Sequence, residues 1–106
     1  MGDSYYNMVL FSVKESYRSI VSVCDEELLG KYFEDGKRQL DIKKDFYSGE
    51  SKSMEEVIEL LKALRKDDLT FNLVGKESID AGLKSGVISK SGVMKLKGIP
   101  FALSLL

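Results

Sequence analysis

Between Met8 and Lys14 the chain alternates. Val9, Phe11 and Val13 fall on one side of an extended backbone, and Met8, Leu10 and Ser12 fall on the other. Ile20 to Cys24 repeats the pattern, with Val21 and Val23 opposite Ile20, Ser22 and Cys24. The polar stretch Glu15-Ser16-Tyr17-Arg18-Ser19 between them is short enough to be a hairpin loop, so the two runs predict an antiparallel pair. Three acids follow at once, in Cys24-Asp25-Glu26-Glu27-Leu28-Leu29-Gly30. They predict one or two helical turns broken by Gly30. Asp35-Gly36 signals a turn. Arg38 to Ile42 alternates weakly, as a third strand would, and Lys43 to Ser51 reads as a loop that carries Phe46 and Tyr47.

The period then changes. Met54, Val57, Ile58, Leu61 and Leu64 recur at helical spacing. Ser53-Met54-Glu55-Glu56 fits a capping box, in which the Ser53 hydroxyl accepts from the Glu56 N–H and the Glu56 side chain returns to the Ser53 N–H. Acids in the first turns and Lys62, Arg65 and Lys66 in the last suit the helix dipole. A helix over 54–66 follows. Asn72 is placed to cap a second helix, with Leu73, Val74, Ile79 and Leu83 on one side and Ser85-Gly86 as its stop. Val93 to Lys97 alternates as a strand, and Phe101 to Leu106 is a last apolar strand. Pro100 cannot donate to a ladder, so it marks a strand start or an edge. Strands, then helices, then strands predict an α+β fold. The expected form is a two-layer sandwich: a mostly antiparallel sheet of about four to five strands with two main helices on one face.

Composition narrows the chemistry. The 106 residues suit a single domain over 1–106, and one cysteine permits no internal disulfide. A reducing compartment, and so a cytoplasmic setting, fits best. The polar and aromatic start lacks the basic opening of a signal peptide, and no apolar run approaches the ~20 residues of a membrane-spanning helix. No histidine is present, which removes the usual general base near neutral pH and the commonest zinc ligand. Net charge is −1 but uneven. The first 80 residues carry 12 bases and 17 acids, whereas Lys84, Lys90, Lys95 and Lys97 lie in a C-terminal segment without acids. Solvated lysines explain this segment simply; a local anion-binding patch is the sharper alternative.

Three stretches could carry chemistry. Cys24 with Asp25, Glu26 and Glu27 mixes one soft ligand with hard ones, a poor metal set. Three carboxylates beside the thiol also oppose the low pKa that a nucleophile needs. A strand-end cysteine followed by an acidic helix start, with Asp25 as its cap, is the simpler reading. Asn72-Leu73-Val74-Gly75-Lys76 could hold a phosphate at a helix start, helped by Lys95 and Lys97, although it lacks the phosphate-loop pattern. Phe46 and Tyr47 beside Lys43 and Lys44, and the pair Tyr5-Tyr6, could stack on bases. Folding of these rings onto the sheet edge is the commoner use.

Taken together, Val23 to Lys31, Phe46-Tyr47 with Gly49-Glu50, Glu55-Glu56, Asn72-Leu73-Val74-Gly75 and Gly98-Ile99-Pro100 resemble the archaeal family known as domain of unknown function 424. The resemblance implies a compact cytosolic α+β domain with no assigned reaction or cofactor, and hints at an association with translation. Related chains often carry histidine, alanine and glutamine where this one has Phe101, Ala102 and Leu103. The expected function is a non-enzymatic binding module for RNA or a translation-related protein. The candidate surface draws on Cys24, Asp25, Glu26, Glu27, Tyr47, Glu50, Asn72, Gly75, Lys76, Lys95 and Lys97. No cofactor, metal or membrane partner is expected. The alternatives are an enzyme using the Asp25 and Glu50 carboxylates or the Cys24 thiol, and a subunit that dimerises through its C-terminal strand.

Overall fold

Among the described residues, six strands form the main sheet, in the spatial order Glu50–Ser53, Met8–Lys14, Ile20–Asp25, Thr70–Val74, Ile99–Ser104 and Met94–Leu96. The structure is a computed structural model that describes residues 8–15, 19–65 and 69–104. Tyr5, Tyr6, the loop positions 16–18, Lys66 and the strand end at 105–106 lie outside the described residues. In chain order the strands are β1 (Met8–Lys14), β2 (Ile20–Asp25), β3 (Tyr32–Asp35), β4 (Arg38–Asp41), β5 (Glu50–Ser53), β6 (Thr70–Val74), β7 (Met94–Leu96) and β8 (Ile99–Ser104). The helices are α1 (Lys44–Tyr47), α2 (Met54–Leu64) and α3 (Lys76–Ser85).

The hairpin of β1 and β2 forms as the alternation predicts, in a register from Val9 opposite Asp25 to Lys14 opposite Ile20. The sheet is larger than expected and mixed. β5 adds an edge beside β1, although its sequence Glu-Ser-Lys-Ser has no apolar face to announce it. β2 and β6 pair in parallel, from Ile20 beside Thr70 to Cys24 beside Val74. Parallel central strands are covered on both faces, which is why β2 is buried from Val21 to Asp25 instead of alternating.

The two main helices, α2 and α3, occupy one face, as expected. Met54, Val57 and Leu61 of α2 and Ile79 of α3 pack on Val9, Val21, Val23, Leu73 and Ala102. Fully removing a side chain such as Leu61 from water contributes roughly 2–3 kcal/mol. The α2 cap holds: Ser53 Oγ accepts from Glu56 N at 3.2 Å. The Glu56 carboxylate instead lies 3.7 Å from Lys52 Nζ. In α3, Gly82 has a purpose that its poor helix propensity obscured. A Cβ there would come within 2.8 Å of Leu73 and 2.9 Å of Ile88, so its absence lets the helix settle onto β6.

The second face departs from the two-layer expectation. The residues after Asp25 form only a 3-10 turn, Glu26–Leu28, and the chain then enters the hairpin β3–β4 instead of a helix. Lys44–Tyr47 is a helical turn where a loop was expected. The hairpin and α1 make a small second cover, in which Leu40, Ile42 and Tyr47 close over Leu10, Cys24, Val74 and Phe101. The hairpin carries few apolar residues because it shields only part of one sheet face, and its pattern is correspondingly weak.

Candidate functional site

The parallel pairing brings the end of β2 beside the start of α3. Cys24 is the last residue of β2 paired with β6, opposite Val74, and Asp25 follows it. On the other strand Val74 leads through Gly75 into the helix. Asp25 Oδ2 accepts from Glu77 N at 3.1 Å, and Oδ1 accepts from Ser78 N at 2.8 Å and Ser78 Oγ at 2.7 Å. Asp25 is therefore a cap, but for a helix 52 residues away and not for the turn that follows it. Asn72 is not a cap. It sits within β6, between Ser22 and Leu103, and Gly75 holds the cap position.

Two signature residues make room for this junction. Gly75 has φ 110°, and a Cβ there would run into the Asp25 carboxylate. Gly75 N donates to Pro100 O at 2.8 Å, while Gly75 O accepts from Ile79 N at 2.9 Å. The Gly75 carbonyl is thus committed to α3. An ordinary residue at position 100 would aim an N–H at it, and proline removes that donor. Burial pushes the Asp25 carboxyl above its ordinary value, against its hydrogen bonds to Ser78 and Glu77.

The junction closes the phosphate reading of Asn72 to Lys76. Two of the free N–H groups that make a helix start an anion site, those of Glu77 and Ser78, are already bonded to the Asp25 carboxylate. The thiol is closed as well. Cys24 is fully buried, its Sγ donates to the Asp25 carbonyl at 3.3 Å, and burial, then the charges of Asp25 and Glu27, push it up to about 12. Tyr47 is buried in the same cluster, and desolvation raises its hydroxyl to about 12. Its ring packs edge-to-face on Phe46 with centroids 4.8 Å apart, so it offers no stacking platform. Glu26 and Glu27 are exposed on the 3-10 turn. Glu50 is exposed on β5, 3.0 Å from Lys52, with β1 between it and the strand of Asp25. The carboxylates of the enzyme reading are not brought together. Among the described residues, no three of the Cys, Asp and Glu side chains cluster as metal ligands.

Two of the predicted lysines do converge. Lys76 at the start of α3 and Lys95 on β7 border an open cleft of 340 Å³ between α3 and the β7–β8 hairpin. Ile79, Leu83 and Pro100 line it with apolar surface, and Glu77 and Asp80 add acids. Asp80 is held 3.1 Å from Lys84. Lys97 is exposed in the β7–β8 turn with φ 54°. Sequence reasoning missed Asp80, Leu83 and Glu77 as site residues, and missed Ser78 as the partner of Asp25. The spacing of Lys76, Ile79, Asp80 and Leu83 on one helical face was the available signal for the cleft. β8 pairs with β7 over Ile99–Phe101 and with β6 over Phe101–Ser104, so among the described residues only Phe101 lies in both ladders.

Three of the stretches quoted for the resemblance meet here: the end of β2, Asn72–Gly75 and Gly98–Pro100. Residues 13–105 match the family described as "Protein of unknown function (DUF424)". The chain belongs to the DUF424 family. No curated protein matches it. A solved structure of an uncharacterized conserved protein from Methanopyrus kandleri has the same fold, with a TM-score of 0.76 and 24% identity over 91% of this chain and 89% of that one. No helix in the described part of this DUF424 chain is long and apolar enough to cross a membrane.

Proposed function

We propose that the chain is a non-enzymatic binding module of the archaeal cytoplasm that serves translation by holding an RNA or protein partner at the cleft between α3 and the β7–β8 hairpin. One observation carries the reading. The groups with reactive potential are consumed by the fold, whereas the lysines at the cleft face solvent. Cys24 is sealed in the core and Asp25 is bound to the first turn of α3. Lys76 and Lys95 are exposed on either side of a concave surface with an apolar floor, the usual form of a recognition site. An enzyme would need its carboxylates or thiol to meet in such a concavity.

The test is a capture and titration experiment. Tagged protein is used to retain transfer RNA, ribosomal RNA and native-cell protein, with and without nuclease. The partner should be retained by the wild type and by Cys24→Ala, and weakened about tenfold or more by the double reversal Lys76→Glu with Lys95→Glu. A partner that ignores both reversals overturns the assignment of the cleft. A chemical turnover lost in Cys24→Ala overturns the non-enzymatic reading.

A further inference from the structure

The cleft is more particular than a basic patch. Its floor is apolar, from Ile79, Leu83 and Pro100, and its rim carries Lys76 and Lys95 together with Glu77 and Asp80. A nucleic-acid backbone presents a negative charge at every phosphate and calls for a continuous positive track. Acids on the same rim interrupt such a track. Asp80 is answered internally by Lys84, 3.1 Å away, which leaves Lys76 and Lys95 as the cations facing the cleft without an ion-pair partner among the described residues. The segment from residue 81 to 106, which supplies Lys95, adds Lys84, Lys90 and Lys97 and no acid.

We infer that the cleft takes an acidic polypeptide segment that carries an apolar side chain beside its carboxylates. The inference rests on the binding-module reading and names the partner of that same site. The apolar side chain covers Leu83 and Pro100, and the flanking carboxylates reach Lys76 and Lys95. A volume of 340 Å³ suits a few side chains and not a folded surface. Three backbone groups beside the cleft, Glu77 N, Ser78 N and Lys95 O, are already engaged. The first turn of α3 is bonded to Asp25, and the Lys95 carbonyl on the β7 edge accepts from Arg38 Nη2 at 2.8 Å. The segment is therefore held by side chains, with a shallow salt dependence set by two lysines.

The experiment is fluorescence anisotropy of a short synthetic peptide alternating glutamate and leucine. It is compared with polyglutamate, a lysine–leucine peptide of equal length, and single-stranded oligouridylate. The glutamate–leucine peptide should bind best. Lys95→Glu should weaken it about tenfold or more, and Leu83→Asn should weaken it while leaving polyglutamate unchanged. Lys95 is exposed on the surface, so its reversal keeps the test sound if Leu83→Asn disturbs packing. Equal binding of polyglutamate, or indifference to Lys95→Glu, overturns the inference. Preference for oligouridylate that depends on Lys95 also overturns it but preserves the binding module. Binding of none of the probes overturns the inference, and only a failed capture experiment as well removes the module.

Discussion

The two ends of the α3 surface follow opposite rules. At its first turn, the Glu77 and Ser78 amides and the Ser78 hydroxyl are matched from inside the chain by Asp25, the Gly75 amide donates to the Pro100 carbonyl, and glycine leaves the space that the carboxylate fills. Along its outer side, facing β7, the charged groups point into solvent and the apolar floor is open. Both regions contain residues from the family's signature stretches. A signature residue can therefore mark a contact that builds the fold as readily as one that meets a partner. The polar residues most suggestive of chemistry lie on the closed side.

The largest expected break of this contrast is Asp25→Ala. It leaves two N–H groups and a hydroxyl without their acceptor and should cost about 3 kcal/mol in urea unfolding, with peptide binding by the folded fraction unchanged. Asp25→Asn keeps one accepting oxygen and should cost less. Gly75→Ala pushes a methyl into the same carboxylate at φ 110° and should cost about 2–3 kcal/mol.

Alkaline pH gives the next effect. The Cys24 thiol is held at about 12 in the fold against 9.0 outside it, and Tyr47 at about 12 against 10.0. Each folded value is raised, so the stability involved is complete below the unfolded value and is lost as pH rises toward the folded one. Unfolding should ease from about pH 9 upward by roughly 1 kcal/mol per pH unit for the thiol, and Cys24→Ala should flatten that slope while leaving the Tyr47 contribution from about pH 10. A stability that stays constant from pH 8 to 11 would contradict the buried placement of both groups.

The smallest effects belong to the open side. Lys97→Gly should stabilise by about 0.5–1 kcal/mol, because glycine relieves the left-handed backbone at φ 54°. Lys95→Glu should move stability by no more than about 0.5 kcal/mol while it weakens the peptide.

Short-range signals were legible in the sequence. The Ser53 cap, the β1–β2 hairpin and the Ser85-Gly86 stop each depend on residues close in the chain, and each forms as read. Expectations failed where a partner lies far away or a pattern is too weak to show. Asp25 reads as a cap, but nothing local says that its helix begins at Lys76. β5 and β3 are short and polar, since an edge strand and a partial cover need little apolar surface, whereas the third strand expected from Arg38 forms as β4. The cleft was half legible: Lys76 and Lys95 were singled out, but not the helical face that joins them to Leu83.

The bond between Asp25 and Ser78 also bears on how the molecule opens. Helix ends ordinarily exchange their amide protons first. Here the Glu77 and Ser78 amides are tied to the end of a central strand, whereas at the far end the Gly86 amide closes on the helix's own Gly82 and Leu83 carbonyls and one long bond, from Arg65 Nη1 to Ser85 O at 3.4 Å, comes from outside. Fraying of α3 should begin at Gly86 and stop short of its start. Hydrogen exchange at Ser78 should then keep pace with β2 and β6, so that two strands and the root of one helix act as a single cooperative unit.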